Sequence, residues 1–231
     1  LLQRPGQCSC PRRWRLHAPM SETILDEVCL RNPVLAGLRG DVIAAAGVLS
    51  RCWQQGGTLF LAGNGGSRCD AEHMAGELLK GFHRRRPLEA TQQEWLRGQF
   101  GDDGAFLGQG LQGGLRAIVL GSADGLASAV ANDNHADLVY AQHLYSLARP
   151  GDVLLAISTS GNARNVLLAC MTARLRRLTV IGMTGQTGGS LRQACDICLR
   201  VPARETYLVQ ELHLPLYHCL CAMVEAEFFA V

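Results

Sequence analysis

Five short, mostly apolar runs, separated by helix-like stretches, limit what this chain can fold into more than any other feature of its sequence. They occupy residues 57–62, 115–120, 152–157, 178–183 and 197–201. A strand that is apolar at every position has no face to offer water, so it belongs in a parallel sheet covered on both sides. Between the runs, apolar residues return at helical spacing. Ile24, Leu25 and Val28, then Leu35, Leu38, Ile43, Val48 and Leu49, predict two helices within 22–55, with Ser21 as a cap and Pro33 and Gly40 as breaks. Further helices are expected over 69–81, from about 125, over 136–149, 165–175 and 206–228. The pattern predicts an α/β fold: a three-layer sandwich with a five-stranded, mostly parallel sheet flanked by helices.

At 231 residues the chain has room for one domain of ordinary size. Residues 20–231 are expected to form it, with Met20 as a natural start and residues 1–19 as a poorly ordered, Arg-, Pro- and Cys-rich N-terminal tail. Residues 83–114, with Trp95, Phe100, Phe106 and many Gly and Gln, break the strand–helix rhythm and predict an insertion with one or two short helices. A net charge of +2 and short basic patches (Arg12-Arg13, Arg84-Arg85-Arg86) favour solvated surface over a nucleic-acid site. No apolar run reaches the roughly 18 residues of a membrane span. The ten cysteines come without a signal-peptide pattern, and several lie in apolar stretches (Cys52, Cys170, Cys219, Cys221). A reduced, cytoplasmic protein is therefore expected. Cys195-x-x-Cys198 lies at the entry to a strand, and no second pair has zinc-ligand spacing.

Ligands of parallel α/β sheets bind beyond the carboxyl ends of the strands. Two turns here suit an anion at that position. Gly63-Asn64-Gly65-Gly66-Ser67 follows the first strand and leads into a helix, offering backbone N–H groups, a hydroxyl and a helix N-terminus. Ser158-Thr159-Ser160-Gly161-Asn162 follows the third with three hydroxyls in a row, and Ser160 or Asn162 could also cap the next helix. Neither Gly-x-Gly-x-x-Gly nor Gly-Lys-Ser/Thr is present, so a phosphate or sugar phosphate fits better than a nucleotide.

His73 and Glu77 share one face of the helix leaving the first turn. Gln210 and His218, eight apart, share a face of the last helix, while His213 points elsewhere. Together the two pairs could hold a divalent ion with N and O ligands, as zinc takes. Spacing does not show that the helices meet, and an i,i+4 surface pair plus a hydrogen-bonded buried histidine is the alternative.

The stretch Gly63 to Leu78 (GNGGSRCDAEHMAGEL) resembles the signature of the sugar isomerase (SIS) fold, in its phosphoheptose isomerase branch. Ala131-Asn132-Asp133, Ile157 to Asn162, and Gln210-Glu211-Leu212-His213 with His218 match in the same order. The resemblance spans about residues 22–229, interrupted at 83–114. It implies interconversion of sedoheptulose 7-phosphate and D-glycero-D-manno-heptose 7-phosphate, with one Zn2+ per subunit held by His73, Glu77, Gln210 and His218. It also implies Glu77 and His218 as acid–base residues, and Asn64, Gly65, Gly66, Ser67, Glu77, Asn132, Asp133, Ser158, Thr159, Ser160 and Gln210 as substrate-binding residues. A homotetramer with sites across subunit interfaces follows from the same resemblance; charge and the lengths of the apolar runs predict no nucleic-acid or membrane partner. Two positions depart from the family pattern: Ala163 stands where a serine is usual, and Gly81 where a basic residue is usual, with Lys80 or Arg84 nearby. A related branch that binds the bacterial replication initiator without catalysis, and an isomerase or sensor for another sugar phosphate, are the competing readings.

Overall fold

Strand β1 (Leu59–Ala62) is buried at every position, and its side chains divide by parity. Leu59 and Leu61 enter one hydrophobic core, Phe60 and Ala62 the other. That division explains the uninterrupted apolar run: with helices on both faces, both parities must be apolar. The computed structural model, which describes residues 18–229, repeats it in β3 (Val153–Ile157) and β4 (Thr179–Thr184). With β2 (Ala117–Val119) and β5 (Ile197–Arg200) these strands form one sheet in the order β2-β1-β3-β4-β5. Leu59 pairs with Ala117 on one side and Val153 on the other, Val153 with Thr179, and Ile181 with Ile197. The expected sandwich is present, its sheet wholly rather than mostly parallel.

One face carries α1 (Ala18–Arg31), α2 (Arg39–Gln54), α3 (Gly66–Leu79) and α9 (Thr206–Phe228). The other carries α6 (Val139–Leu147), α7 (Arg164–Leu175) and the short α8 (Leu191–Ala194). Helix α9 packs against α1, α2 and α3 and buries Val209, Leu216, Tyr217, Leu220 and Val224. At about 1.5–3 kcal/mol per large apolar side chain, this helix is a main source of cohesion for its layer. The stretch 33–54 is long and apolar enough, by composition, to cross a membrane. Its apolar side, with Val42, Ala45, Leu49, Cys52 and Trp53, is packed into the core instead.

Several boundaries differ from expectation. The tail predicted over 1–19 lies outside the described residues up to 17, and Ala18 and Pro19 already belong to α1, so Ser21 sits inside that helix rather than capping it. Pro33 opens a 3-10 turn (Pro33–Leu38), while Gly40 lies within α2, where a single glycine costs only about 1 kcal/mol. Helix α3 begins three residues before 69. The segment 136–149 divides into a 3-10 turn (Ala136–Leu138) and α6, following α5 (Asp124–Val130) and a π-turn (Ala131–His135). Neither Ser160 nor Asn162 caps α7; Ala163 holds that position without a side-chain bond.

The insertion is a helical hairpin. Helix α4 (Ala90–Gly110) folds back on itself at Gly101, whose φ of 57° suits glycine. The two arms touch through backbone: a Cβ on Gly104 would stand 1.9 Å from the Leu96 carbonyl oxygen. Trp95 and Phe100 meet edge to face, and Phe106 is 77% exposed.

Candidate active site

The strand order reverses between β1 and β3. From β1 the chain crosses one face, through α3, to β2; from β3 it crosses the other face, through α7, to β4. The carboxyl ends of β1 and β3 therefore diverge into a crevice, the usual ligand position in such sheets. Both glycine- and serine-rich turns lie at this point. In the first, Gly65 has φ 53°, and a Cβ on Gly63 would lie 2.5 Å from the Ser67 carbonyl oxygen. A Cβ on Gly66 would lie 2.3 Å from Gln210 Nε2, so Gln210 rests on this turn. In the second, Ser158 is buried, Ser160 is exposed, and Gly161 has φ 69°. Ser158 Oγ accepts from Ala163 N (3.4 Å) and Ser160 Oγ from Asn162 N (3.2 Å). The turns are tied together. Asn64 Nδ2 donates to Asn165 Oδ1 at 2.8 Å, and Asn165 Nδ2 donates back to Asn64 Oδ1 at 2.9 Å. The Tyr140 hydroxyl, 2.5 Å from the Gly63 carbonyl oxygen, steadies the first turn from the opposite layer. The N-termini of α3 and α7 thus open into one crevice and favour an anion there.

Further along α3 a second group forms against α9. His73 Nε2 is 3.2 Å from Glu77 Oε1, and the Tyr217 hydroxyl is 2.9 Å from His73 Nδ1. The His218 ring stands edge-on to His73, centroids 5.0 Å apart, and packs near Phe82. Lys80 Nζ is 3.9 Å from Glu77 Oε2. Burial, reinforced by His73, lowers the pKa of His218 and keeps it neutral, while its Nε2 is buried without a hydrogen-bond partner. Burial also raises the Asp70 carboxyl and the Tyr217 phenol. Among the described residues no three His, Cys, Asp or Glu side chains form a ready-made metal cage. The donors of His73, Glu77 and His218 nevertheless suit zinc, and the orphaned His218 nitrogen is the kind of atom a metal would satisfy. Gln210 is the exception: eight residues along α9, it lies about 12 Å from His218 in helix rise.

Models of the SIS domain match residues 130–224 and 30–94. The chain is 39% identical over 180 residues to a phosphoheptose isomerase of Thiobacillus denitrificans, covering 77% of this chain and 78% of that one. It belongs to the phosphoheptose isomerase family of SIS-domain proteins. Two solved phosphoheptose isomerases share its architecture. That of Neisseria gonorrhoeae is 27% identical with a TM-score of 0.67, over 92% of this chain and 100% of that one. That of Francisella tularensis is 27% identical with a TM-score of 0.69, over 90% and 96%. The two SIS-domain matches leave residues 95–129 between them, and most of the hairpin lies there.

Against this family background, the structure unites the expected residues in two groups. Asn64, Gly65, Gly66, Ser67, Ser158, Thr159, Ser160 and Gln210 gather at the switch point, Ser67 and Ser158 buried there; His73, Glu77 and His218 form the second cluster. Asn132 and Asp133 are exposed in the π-turn and hydrogen-bond to each other at 2.8 Å. Their segment approaches α7 through Asp137, which pairs with Arg164 at 3.0 Å. Sequence reasoning missed Tyr140, Asn165 and Tyr217, which hold the predicted residues in place; Tyr217 was recognisable only as the neighbour of His218. It also missed a buried ion pair behind Glu77. Arg86 and Glu225, both with side chains 1% exposed, meet at 2.9 Å, and Arg86 donates to the carbonyls of Leu78 (2.7 Å) and Glu77 (3.1 Å).

Proposed function

We propose that this chain is an aldose–ketose isomerase acting on a seven-carbon sugar phosphate, interconverting sedoheptulose 7-phosphate and D-glycero-D-manno-heptose 7-phosphate. The observation that carries this reading is the pairing of an anion cradle, at the sheet's switch point, with an acid–base pair formed by Glu77 on the helix that leaves it and His218 on the adjoining α9. The phosphate would sit between the two turns, meeting the Ser67, Ser158, Thr159 and Ser160 hydroxyls, backbone amides and two helix N-termini. Asn64, Asn132, Asp133 and Gln210 would meet the sugar hydroxyls. Binding energy from the phosphate, remote from the reacting carbons, orients the sugar for proton transfer.

Isomerisation moves a proton between C1 and C2 by way of an enediol. Glu77 would take the proton from one carbon and return it to the other, while His218, neutral at its depressed pKa, passes a proton between the two oxygens. His73, held by Tyr217, keeps the Glu77 carboxylate in place. Zinc is the proposed cofactor, with His73, Glu77 and His218 of one chain and Gln210 of a second copy as its donors; when bound it would polarise the carbonyl and stabilise negative charge on oxygen.

Distance bears on assembly. Glu77 lies about 16 Å along α3 from Gly66, whereas seven carbons and a phosphate ester extend about 10 Å at ~1.5 Å per bond. The cradle of one chain is better served by Glu77 and His218 of a second copy, which supports a homotetramer with sites at subunit interfaces. A cytoplasmic location accords with the free cysteines. The deciding assay is turnover of sedoheptulose 7-phosphate by purified, zinc-supplemented protein. Absence of the aldose product, with no zinc in the protein, overturns the proposal. Glu77→Gln should abolish turnover without altering the melting temperature, and an active Glu77→Gln variant removes Glu77 from the mechanism.

A further inference from the structure

The Cys195-x-x-Cys198 pair plays no part in the proposed chemistry, yet its surroundings are specific. Cys198 lies on β5, an edge strand, opposite Gly182 of β4. Paired residues of a parallel ladder point to the same face. A Cβ on Gly182 would lie 2.9 Å from Cys195 Sγ, so the Cys195 thiol occupies the space this glycine leaves, beside Cys198. The Cys195 thiol donates to the Arg192 carbonyl at 3.9 Å. Both cysteines are only half-buried, unlike Cys52, Cys170, Cys219 and Cys221. Arg192 and Arg200 converge close by, since a Cβ on Gly188 would lie 2.8 Å from Arg192 Cβ and 3.1 Å from Arg200 Cδ.

The neighbourhood also reaches the candidate site. Cys195 ends α8, its amide donating to the Leu191 carbonyl at 3.1 Å. The loop entering α8 grips the second turn: Ser190 N donates to Asn162 Oδ1 and Leu191 N to the Gly161 carbonyl, both at 2.9 Å. Gly161 and Gly188 are in backbone contact, with room for no side chain between them.

The geometry points to Cys195 and Cys198 as a thiol–disulfide exchange site whose closure loosens the grip of the 185–191 loop on the Ser158–Asn162 turn. The neighbouring Cys195 thiol lowers the Cys198 thiol, and Arg200 and Arg192 reinforce this against burial, whereas the nearness of Cys198 and burial raise Cys195. Cys198 is therefore the attacking sulfur. Its thiolate attacks a small disulfide of the glutathione class and expels one thiolate, leaving a mixed disulfide. Cys195 then gives its proton to solvent, attacks the Cys198 sulfur and releases the second thiol. One protein dithiol and one disulfide become one protein disulfide and two thiols. The new bond draws the end of α8 toward β5 and pulls on Leu191 and Ser190. The consequence for substrate rests on the second turn holding phosphate; the sulfur chemistry does not.

The test uses the full-length, zinc-supplemented protein in buffers of reduced and oxidised glutathione. Peptide mapping should find a 195–198 link that dithiothreitol reverses, distinct from adducts at the exposed Cys69. Amide hydrogen exchange over 158–163 should accelerate about tenfold in the oxidised protein, as expected when one or two clamp hydrogen bonds are lost. Cys195→Ser should trap glutathione on Cys198, and Cys198→Ser should leave Cys195 unmodified. Absence of the link, or a link with unchanged exchange over 158–163, overturns the inference, and trapping on Cys195 instead overturns the assignment of the attacking sulfur. Failure of the reduced protein to isomerise sedoheptulose 7-phosphate counts against the isomerase reading alone, because neither mapping nor exchange depends on turnover.

Discussion

Replacing Glu225 by Gln keeps the shape of a side chain that is 1% exposed and removes its charge. The carboxylate accepts from the amides of Phe82 (2.8 Å), His83 (2.8 Å) and Arg84 (3.2 Å), and from Arg86 Nε (3.0 Å) and Nη2 (2.9 Å). In the variant, the Arg86 guanidinium is left buried without its counter-charge, and the new amide group turns a donor toward donors. Breaking a buried pair from one side costs about 3–5 kcal/mol, a large fraction of the roughly 5–15 kcal/mol that holds a domain together. Arg86 also binds the last carbonyls of α3, including that of Glu77, so the loss should reach the proposed catalytic carboxylate and lower kcat as well. Guanidinium unfolding at one protein concentration measures the stability term, since assembly would otherwise shift the midpoint. The double variant Arg86→Met/Glu225→Gln leaves no charge unpaired, keeps an amide oxygen to accept from the backbone amides, and should be more stable than Glu225→Gln. A cost below about 1 kcal/mol for Glu225→Gln, or a double variant as unstable as the sum of its singles, would refute the reasoning.

Other outcomes follow from the same structure. Burial alone would raise the Glu225 carboxyl; the Phe82 and His83 amides and Arg86 more than reverse this and hold it below its ordinary value. Its stabilisation is thus complete above about pH 4.5 and is lost as pH falls through the lower folded value, a step that acid titration should find missing in Glu225→Gln. His213 is fully buried and pushed down to about 4 by burial. It contributes about 3 kcal/mol above pH ~6.5 that is lost on acidification toward pH 4, and His213→Leu should flatten that part of the stability profile. Asn165→Ala breaks the link between the two turns and should raise KM for the sugar phosphate about five- to tenfold with little change in kcat; a change in kcat alone would contradict the placement of phosphate there. Gly104→Ala forces apart two backbones that now touch, so hydrogen exchange should rise across 90–110 while the midpoint of global unfolding stays within about 0.5 kcal/mol.

The layer order, the parallel sheet and the position of the glycine- and serine-rich turns were legible in the sequence because each depends on short-range pattern. Strands buried on both faces must be apolar throughout, and the first turn carries glycine where neighbours come close, at Gly63 and Gly66, and where φ is positive, at Gly65. Helix starts were legible only approximately. Ser21, Ser160 and Asn162 resemble caps, but α1 already includes Ala18 and α7 begins after Ala163, which has no capping side chain. Spacing put His73 with Glu77 and Gln210 with His218, each pair on a helix face. Only the tertiary structure decided that α9 runs beside α3, so that His218 faces His73 while Gln210 rests on Gly66. The same packing decided that Arg86 and Glu225, 139 residues apart, neutralise each other behind Glu77, and that Cys195 fills the gap beside Gly182. Periodicity specifies which face of an element is apolar, but not which other element covers it. Those partnerships arise from burial of surfaces far apart in the chain, and no local pattern encodes them.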